Sequence, residues 1–344
     1  MFIDEMNKFI RASKTGRRRL SNGRKISTGT ITGYTMCLNL VEVFEKTQGR
    51  QYSIYTGFKT SQQHFLAQRK YWKQFAYAFA DFLYKRNAFD NHVANQFKIL
   101  RTFVNYLHKE KGYLLNQFFP VNFIAKEMIS IIVISPEQLR FLINDTTLEE
   151  SLPTRLKEAK DFFVFGCTVA LRVSDLLSLT EKNIEVNETG TYLVVSSIKT
   201  ITKTRILLPA YAVDILKKYK CKSRFLLPRF NISNLNIYMK QLAELAGWTN
   251  IVSKARLQKG IPVLLYADKK KKILHRFCDL ITTHTMRRTA ITTMLSLGMP
   301  EYLVRKVSGH APGSKEFYRY VSLSQKLQDE ETKRVFDFLT KKES

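Results

Sequence analysis

The sequence predicts a mainly α-helical protein in two domains, with one small antiparallel sheet in the second. Three observations carry this. Apolar residues recur at three- and four-residue steps from Ile31 to Phe119, the spacing of one helical face. The rhythm breaks over residues 191–209, where β-branched residues alternate in TYLVVSSIK and RILLP, a strand pattern. A length of 344 residues, at roughly 150 per domain, leaves room for two cores.

Charge narrows the function classes. Lys and Arg number 56 against 29 Asp and Glu, a formal net charge of +27, and such an excess points to an anionic polymer, nucleic acid before membrane. No apolar run reaches ~18 residues, and the start MFIDEMNKFIRAS lacks the apolar region of a signal peptide, so a soluble intracellular chain is expected. Cys37, Cys167, Cys221 and Cys278 stand singly with no CxxC pair; reduced thiols fit that pattern better than a disulfide framework or a zinc ribbon. Cys278 lies near His275 and His284, but without metal-ligand spacing.

Taken in order, residues 1–30 begin with a short helix and continue as a basic tract. Arg11, Lys14, Arg17, Arg18, Arg19, Arg24 and Lys25 are interleaved with Gly and Ser, which reads either as a disordered tail or as an arm that orders along phosphates. Residues 31–119 form a helical bundle with stripes such as Tyr34, Leu38, Val41, Phe44 and Val93, Phe97, Leu100, Val104, Leu107. Lys98, Arg101 and Asn105 remain outside the last stripe, suited to phosphate contacts or to plain solvation. Residues 120–134 are linker-like, and Ser135-Pro136-Glu137 reads as an N-cap with Pro at the first helical position, opening a second domain over 135–344. The apolar run FFVFGCTVAL makes the helix over 159–171 central. Arg172 follows it directly, with Asp175 three residues on; a buried guanidinium needs a partner, either that carboxylate or a phosphate. Lys199 sits at the end of the first hairpin strand and Lys203 in the turn. Such a lysine is either solvated or placed to protonate a leaving alkoxide.

The stretch THTMRRTAITTMLSLGMPEYLVRKVSGHAPGSKEFYRY, residues 283–320, concentrates the chemistry. His284 and Arg287 stand three apart and project from one helical face, with Thr283 as the expected N-cap. Gly298 and Pro300 end that helix and begin another, which stops at Gly309 and delivers His310. A Pro312-Gly313 turn then leads to Tyr318 and Tyr320. Donors for an anionic oxygen, groups that move protons and a phenol able to attack form the set that metal-free phosphoryl transfer requires.

ALRVSDLLSL (170–179), SSIKTITKTRILLP (196–209), HTMRR (284–288), VSGH (307–310) and FYRYVSLS (317–324) together resemble the successive signature boxes of the tyrosine recombinases, the phage-integrase family. The resemblance spans the second domain, and the bundle before it resembles that family's core-site DNA-binding domain in size and helicity. It implies an α+β catalytic domain and strand exchange on double-stranded DNA, without metal or cofactor. By that resemblance Arg172 and Arg287 hold the scissile phosphate with His310, and Lys199 protonates the departing 5′-oxygen. His284 assists proton transfer, Asp175 orients the first arginine, and a tyrosine attacks to leave a 3′-phosphotyrosyl ester. Members often place that tyrosine nine residues after the histidine, where this chain has Arg319. Tyr320 is favoured because Val321-Ser322-Leu323-Ser324 follows it, with Tyr318 as the alternative. The resemblance further implies a homotetramer on paired sites, a monomer or weak oligomer without DNA, and a bacterial mobile element acting in the cytoplasm at the nucleoid. A C-terminal helix over 323–339 would fold back on its own domain or dock on a neighbouring protomer. Two other classes share the features: a type IB topoisomerase, and a DNA-binding protein that does not cut.

Overall fold

A computed structural model describes residues 1–54, 61–120, 124, 126–196, 203–311, 313–321 and, singly, 329, 332, 333 and 336. The chain forms two units, Met1–Ile129 with Lys254–Leu265, and Ser130–Ser253 with Tyr266–Ser344. The expected class, mainly helical with a small antiparallel sheet, is what is found, and two further two-stranded sheets accompany it.

The first unit is built from α1 (Phe2–Thr15), α2 (Thr28–Gln48), α3 (Gln62–Lys85), α4 (Asp90–Lys111) and the short α5 (Leu115–Phe118). Ser27 and Ser61 cap α2 and α3 by accepting from the N–H three residues on, which satisfies one of the donors a helix start leaves open. The core is aromatic: Phe2, Phe9, Phe44, Trp72, Phe75, Phe79 and Phe103 are fully buried, with ring centroids such as Phe2–Phe103 at 5.2 Å and Phe44–Phe79 at 5.3 Å. Burial of each contributes about 2 kcal/mol.

Here the structure departs from the sequence reading of residues 1–30. Phe2, Met6, Phe9 and Ile10 of α1 are buried in the bundle core, so this segment is part of the unit rather than a tail. Spacing of four, three and one puts these side chains on one face. The basic tract then folds back, with Arg18 N–H donating to Ala12 O at 2.9 Å and Leu20 N–H to Arg24 O at 2.9 Å.

The second unit opens with α6 (Pro136–Asn144), where Ser135 and Gln138 form a reciprocal capping box with Pro136 at the first turn. Then come α7 (Thr146–Ser151), α8 (Thr154–Val169) and α9 (Val173–Leu176), and a three-stranded antiparallel sheet of β1 (Ile184–Asn187), β2 (Gly190–Ser196) and β3 (Lys203–Leu207). The expected hairpin is β2 with β3, in register Tyr192↔Leu207 and Ser196↔Lys203; Lys203 opens its second strand rather than lying in the turn. The connection, with Lys199, lies outside the described residues. α10 (Ala210–Tyr219) and α11 (Ile232–Leu245) follow, then β4 (Ile251–Val252), β5 (Lys254–Gln258), β6 (Ile261–Leu265), β7 (His275–Arg276), α12 (Thr283–Ser296), α13 (Glu301–Ser308) and α14 (Lys315–Val321). β4 pairs with β7, β5 with β6.

The β5–β6 hairpin was not anticipated, and it belongs to the first unit. Buried Asp90 at the start of α4 accepts from the Lys259 and Gly260 N–H groups at 2.8 and 2.9 Å and from the Tyr84 hydroxyl at 2.8 Å. Glu127 accepts from Leu257 N–H at 2.8 Å. One carboxylate thus satisfies the tip of a two-stranded ribbon that is marginal alone.

α8 is the central helix of the second unit, as its apolar run predicted. Phe162, Phe163, Val164, Phe165, Cys167 and Val169 of its C-terminal half are all buried, and a helical segment apolar on every side must be enclosed. It lies so close to α12 that a Cβ on Gly166 would strike the Met286 sulfur and stand 3.1 Å from Met286 Cβ and 3.2 Å from Leu176 Cδ1. Gly166→Ala should therefore lower unfolding free energy by about 1–3 kcal/mol in urea titration. An unchanged or raised midpoint would contradict the close approach.

Candidate functional site

The site is assembled from three helix ends. Thr282 and Thr285 form a reciprocal capping box, Thr285 N–H to Thr282 and Thr282 N–H to Thr285 Oγ1 at 3.0 Å. The N-cap is thus one residue earlier than expected, and the Thr283 N–H donates to Asn236 Oδ1 at 2.8 Å. α12 points Arg287 inward, 8% exposed. Its Nη1 donates to Ala170 O at 2.8 Å and its Nη2 to Ser308 O at 2.7 Å. Those carbonyls are the C-terminal ends of α8 and α13, where open acceptors and the helix dipole both favour a cation. Ala170 takes φ 55° to present its carbonyl, a left-handed conformation that costs a non-glycine residue about 1 kcal/mol.

His310 is delivered by the end of α13. Gly309 adopts φ 64° and its N–H bonds back to the last turn, and the His310 N–H donates to Arg305 O at 3.0 Å, a Schellman closure. The imidazole then lies 3.3–3.4 Å from Arg287 Nη2 and 2.8 Å from Ser308 Oγ through Nδ1. Ser308 Oγ also lies 2.7 Å from Val304 O. With one proton, the hydroxyl donates either to that carbonyl, leaving Nδ1–H as donor, or to Nδ1, leaving Nε2–H free for a ligand.

Electrostatics mark a site built for an anion. Burial pulls the Arg287 guanidinium down to about 10, and neighbouring Arg172 pushes the same way. It stays charged at neutral pH with a like charge beside it. The Asp175 carboxyl is 4% exposed; burial raises its pKa, while Arg172 and Arg287 oppose that rise. His310 is pulled down to about 4 by burial, then by Arg287, Arg172 and Arg305. The exposed ring of His284 is also held below its ordinary value, by partial burial and by Arg288 and Arg287. A phosphodiester among these groups would relieve the repulsion.

Tyr320 and Tyr318 are separated by their surroundings. The Tyr320 ring packs 5.8 Å from His310 and 6.4 Å from Phe317, beside the Ala170, Ala290 and Ile291 cluster. Arg288, half-buried on α12, is within hydrogen-bonding reach of the Tyr320 phenol. Tyr318 faces outward, 48% exposed, its hydroxyl held by Arg305 Nη2 at 2.8 Å.

Of the residues singled out from sequence, Arg172, Asp175, His284, Arg287, His310 and Tyr320 are thus drawn into one neighbourhood, whereas Lys199 lies outside the described residues. Arg288, Arg305 and Ser308 were missed. The doubled arginine in HTMRR was the available sign of the first, while the other two looked like ordinary helix polar residues. Of the basic residues of the first unit, Arg18 is turned inward rather than toward a ligand. Its guanidinium lies 4.5 Å from the Phe9 ring and donates to Ser13 Oγ at 3.2 Å. Arg19 donates to Gly23 O at 3.0 Å, closing the loop. Arg17, Lys25 and Lys98 are exposed, Arg24 and Arg101 half-buried. The thiol of Cys278 is buried, and its neighbour Asp279 is ion-paired with Arg276. Among the described residues no cluster of three or more His, Cys, Asp or Glu is arranged to hold a metal. Nor is any helix among them long and apolar enough to cross a membrane.

The model of the phage integrase family matches residues 133–326. Solved structures with the same fold include a lambda integrase (75–356) dimer bound to a COC′ core site, at 12% identity and TM-score 0.56, covering 92% of this chain and 94% of that one. Another is XerH site-specific recombinase bound to palindromic difH substrate, at 13% identity and TM-score 0.57, covering 96% and 94%. A third is the Tn1549 transposon integrase in complex with transposon right end DNA, at 11% and 0.57, covering 94% and 93%. No curated protein matches the chain.

The depressed imidazole of His310 has a measurable consequence. Between its ordinary value of 6.5 and about 4, the unfolded chain takes up a proton that the folded chain refuses. Stability should therefore fall as pH drops through that window and level off below it. In His310→Gln the slope of unfolding free energy against pH should flatten by up to one proton; an identical slope would place the titration elsewhere.

Proposed function

Since this chain belongs to the phage integrase family, the tyrosine recombinases, we propose that it is a site-specific DNA recombinase that cuts and rejoins double-stranded DNA through a 3′-phosphotyrosyl intermediate. The observation that carries the reading is Arg287, a buried guanidinium that shares its surroundings with Arg172 and His310 and has a phenol beside it.

Arg287 and Arg172 hold the two non-bridging oxygens, and their charge offsets what builds up on phosphorus in the transition state. His310, with Ser308 donating to Nδ1, offers Nε2–H to the same group. The Tyr320 oxygen attacks phosphorus, the bond to the 5′-oxygen breaks, and the phenolic proton leaves with help from His284. Lys199 protonates the departing 5′-oxygen, which leaves as a hydroxyl. Asp175 orients Arg172. Attack by that hydroxyl on the tyrosyl ester reverses the steps, so the bond energy is conserved and no nucleotide cofactor is consumed. Arg17, Arg19, Arg24, Lys25, Lys98 and Arg101 contribute to holding the duplex.

A homotetramer on paired sites, in the cytoplasm of a bacterium carrying the mobile element, completes the reading. A topoisomerase would relax a plasmid without paired sites, and a non-cleaving binder would have no use for Tyr320.

A nicked suicide substrate tests the chemistry. The wild type should accumulate a covalent adduct on denaturing gels, Tyr320→Phe none, and Tyr318→Phe a detectable amount; an adduct that persists in Tyr320→Phe sinks the assignment. DNA affinity should fall steeply with salt, with a logarithmic slope of about −0.9 per phosphate neutralised. A flat response in filter binding or fluorescence anisotropy would argue against a phosphate-dominated interface.

A further inference from the structure

We propose that Arg305 is a positioning residue for the nucleophile, clamping α14 through the Tyr318 hydroxyl so that Tyr320 is held toward the phosphate site. The inference rests on the function proposed above. Arg305 sits at the centre of three contacts. Its side chain pairs with Glu301 one turn earlier on α13, which fixes the guanidinium plane. Nη2 donates to the Tyr318 hydroxyl at 2.8 Å. The same guanidinium lies 5.0 Å from the Phe317 ring centroid and 4.9 Å from that of Tyr318, so it covers two successive aromatics of α14.

Phe317 is fully buried among Ala170, Ala290, Ile291, Leu295 and Val304, and is therefore the anchor of α14. Tyr320 and Val321 pack against the same cluster, but residues 317, 320 and 321 share one face of a seven-residue helix. The Arg305–Tyr318 bond adds a point off that face, on the residue next to Phe317, and together they define where Tyr320 projects. The backbone of Arg305 completes the device, because its carbonyl accepts the His310 N–H at 3.0 Å. One residue thus ties the group that contacts the phosphate to the helix that attacks it. Tyr318, the weaker nucleophile candidate, acquires a role as a handle.

Clamping and phosphate contact can be told apart with an external nucleophile. Adduct formation on the suicide substrate should slow by about tenfold to a hundredfold in Arg305→Ala, the scale on which a misplacement of about 1 Å acts. Tyr318→Phe, which removes one oxygen, should slow it less. The double variant should be no slower than Arg305→Ala alone, and DNA affinity should stay within about twofold. In a Tyr320→Phe background, strand cleavage by hydrogen peroxide at the scissile phosphate should proceed equally with Arg305 or Ala at that position, because a diffusing nucleophile needs no clamp. Additive single effects, unchanged adduct rates, or peroxide cleavage that falls with Arg305→Ala would each overturn the clamp. Loss of the adduct altogether in Tyr318→Phe would do so too, by making that residue the nucleophile. A wild type that forms no adduct and supports no peroxide cleavage would remove the recombinase reading itself.

Discussion

The second unit depends on one buried guanidinium. Arg287 is bonded to the last carbonyls of two helices that are far apart in sequence, α8 through Ala170 and α13 through Ser308. A cation at a helix C-terminus is favourable by itself, and here it serves two at once. The same contacts withdraw both carbonyls from solvent and leave the charge in an enclosed place where a ligand anion is worth more than in water. Fold and the proposed chemistry therefore use one group: what ties α8, α12 and α13 together is also the residue proposed to face the phosphate.

That arrangement explains the placing of the rest. Arg172 follows α8 by way of Ala170, so the left-handed turn that presents one carbonyl to Arg287 also turns the chain toward the same site. His310 follows α13 by way of Gly309, the second left-handed residue of the site. Each of these groups stands just past the end of a helix that Arg287 holds. The cost is positive charge accumulated in an enclosed place: burial first, and neighbouring arginines after it, depress both Arg287 and His310.

Much of this was legible in the sequence because it is local. Helical spacing, the Ser135-Pro136 start, the apolar run of α8 and the β2–β3 alternation each depend on residues within a few positions of one another. The gathering of Arg172, Arg287 and His310 is not local, and only the order of the motifs hinted at it. Three things stayed hidden. α1 looked like the start of a tail because the arginines after it outweigh its apolar face, although Phe2, Met6 and Phe9 lie in the core. The β5–β6 hairpin is held by Asp90, some 170 residues earlier in the chain, and no pattern reports a bond at that distance. Arg18 was read by its charge, whereas the rings of Phe9 and Tyr34 decide where it goes.

The excursion of residues 254–265 into the first unit bears on how the protein can be dissected. The backbone passes between the units at 129/130, again at 253/254 and again at 265/266, so one cut in the linker does not part them. A fragment begun at Ser130 would carry a ribbon whose Leu257, Lys259 and Gly260 N–H groups have lost Glu127 and Asp90 as acceptors. Unpaired strand edges of that kind invite association with other chains. Poor solubility of such a fragment would thus reflect an orphaned ribbon rather than any weakness in the α8–α12 core, and excising 254–265 along with the bundle is the cleaner way to isolate it.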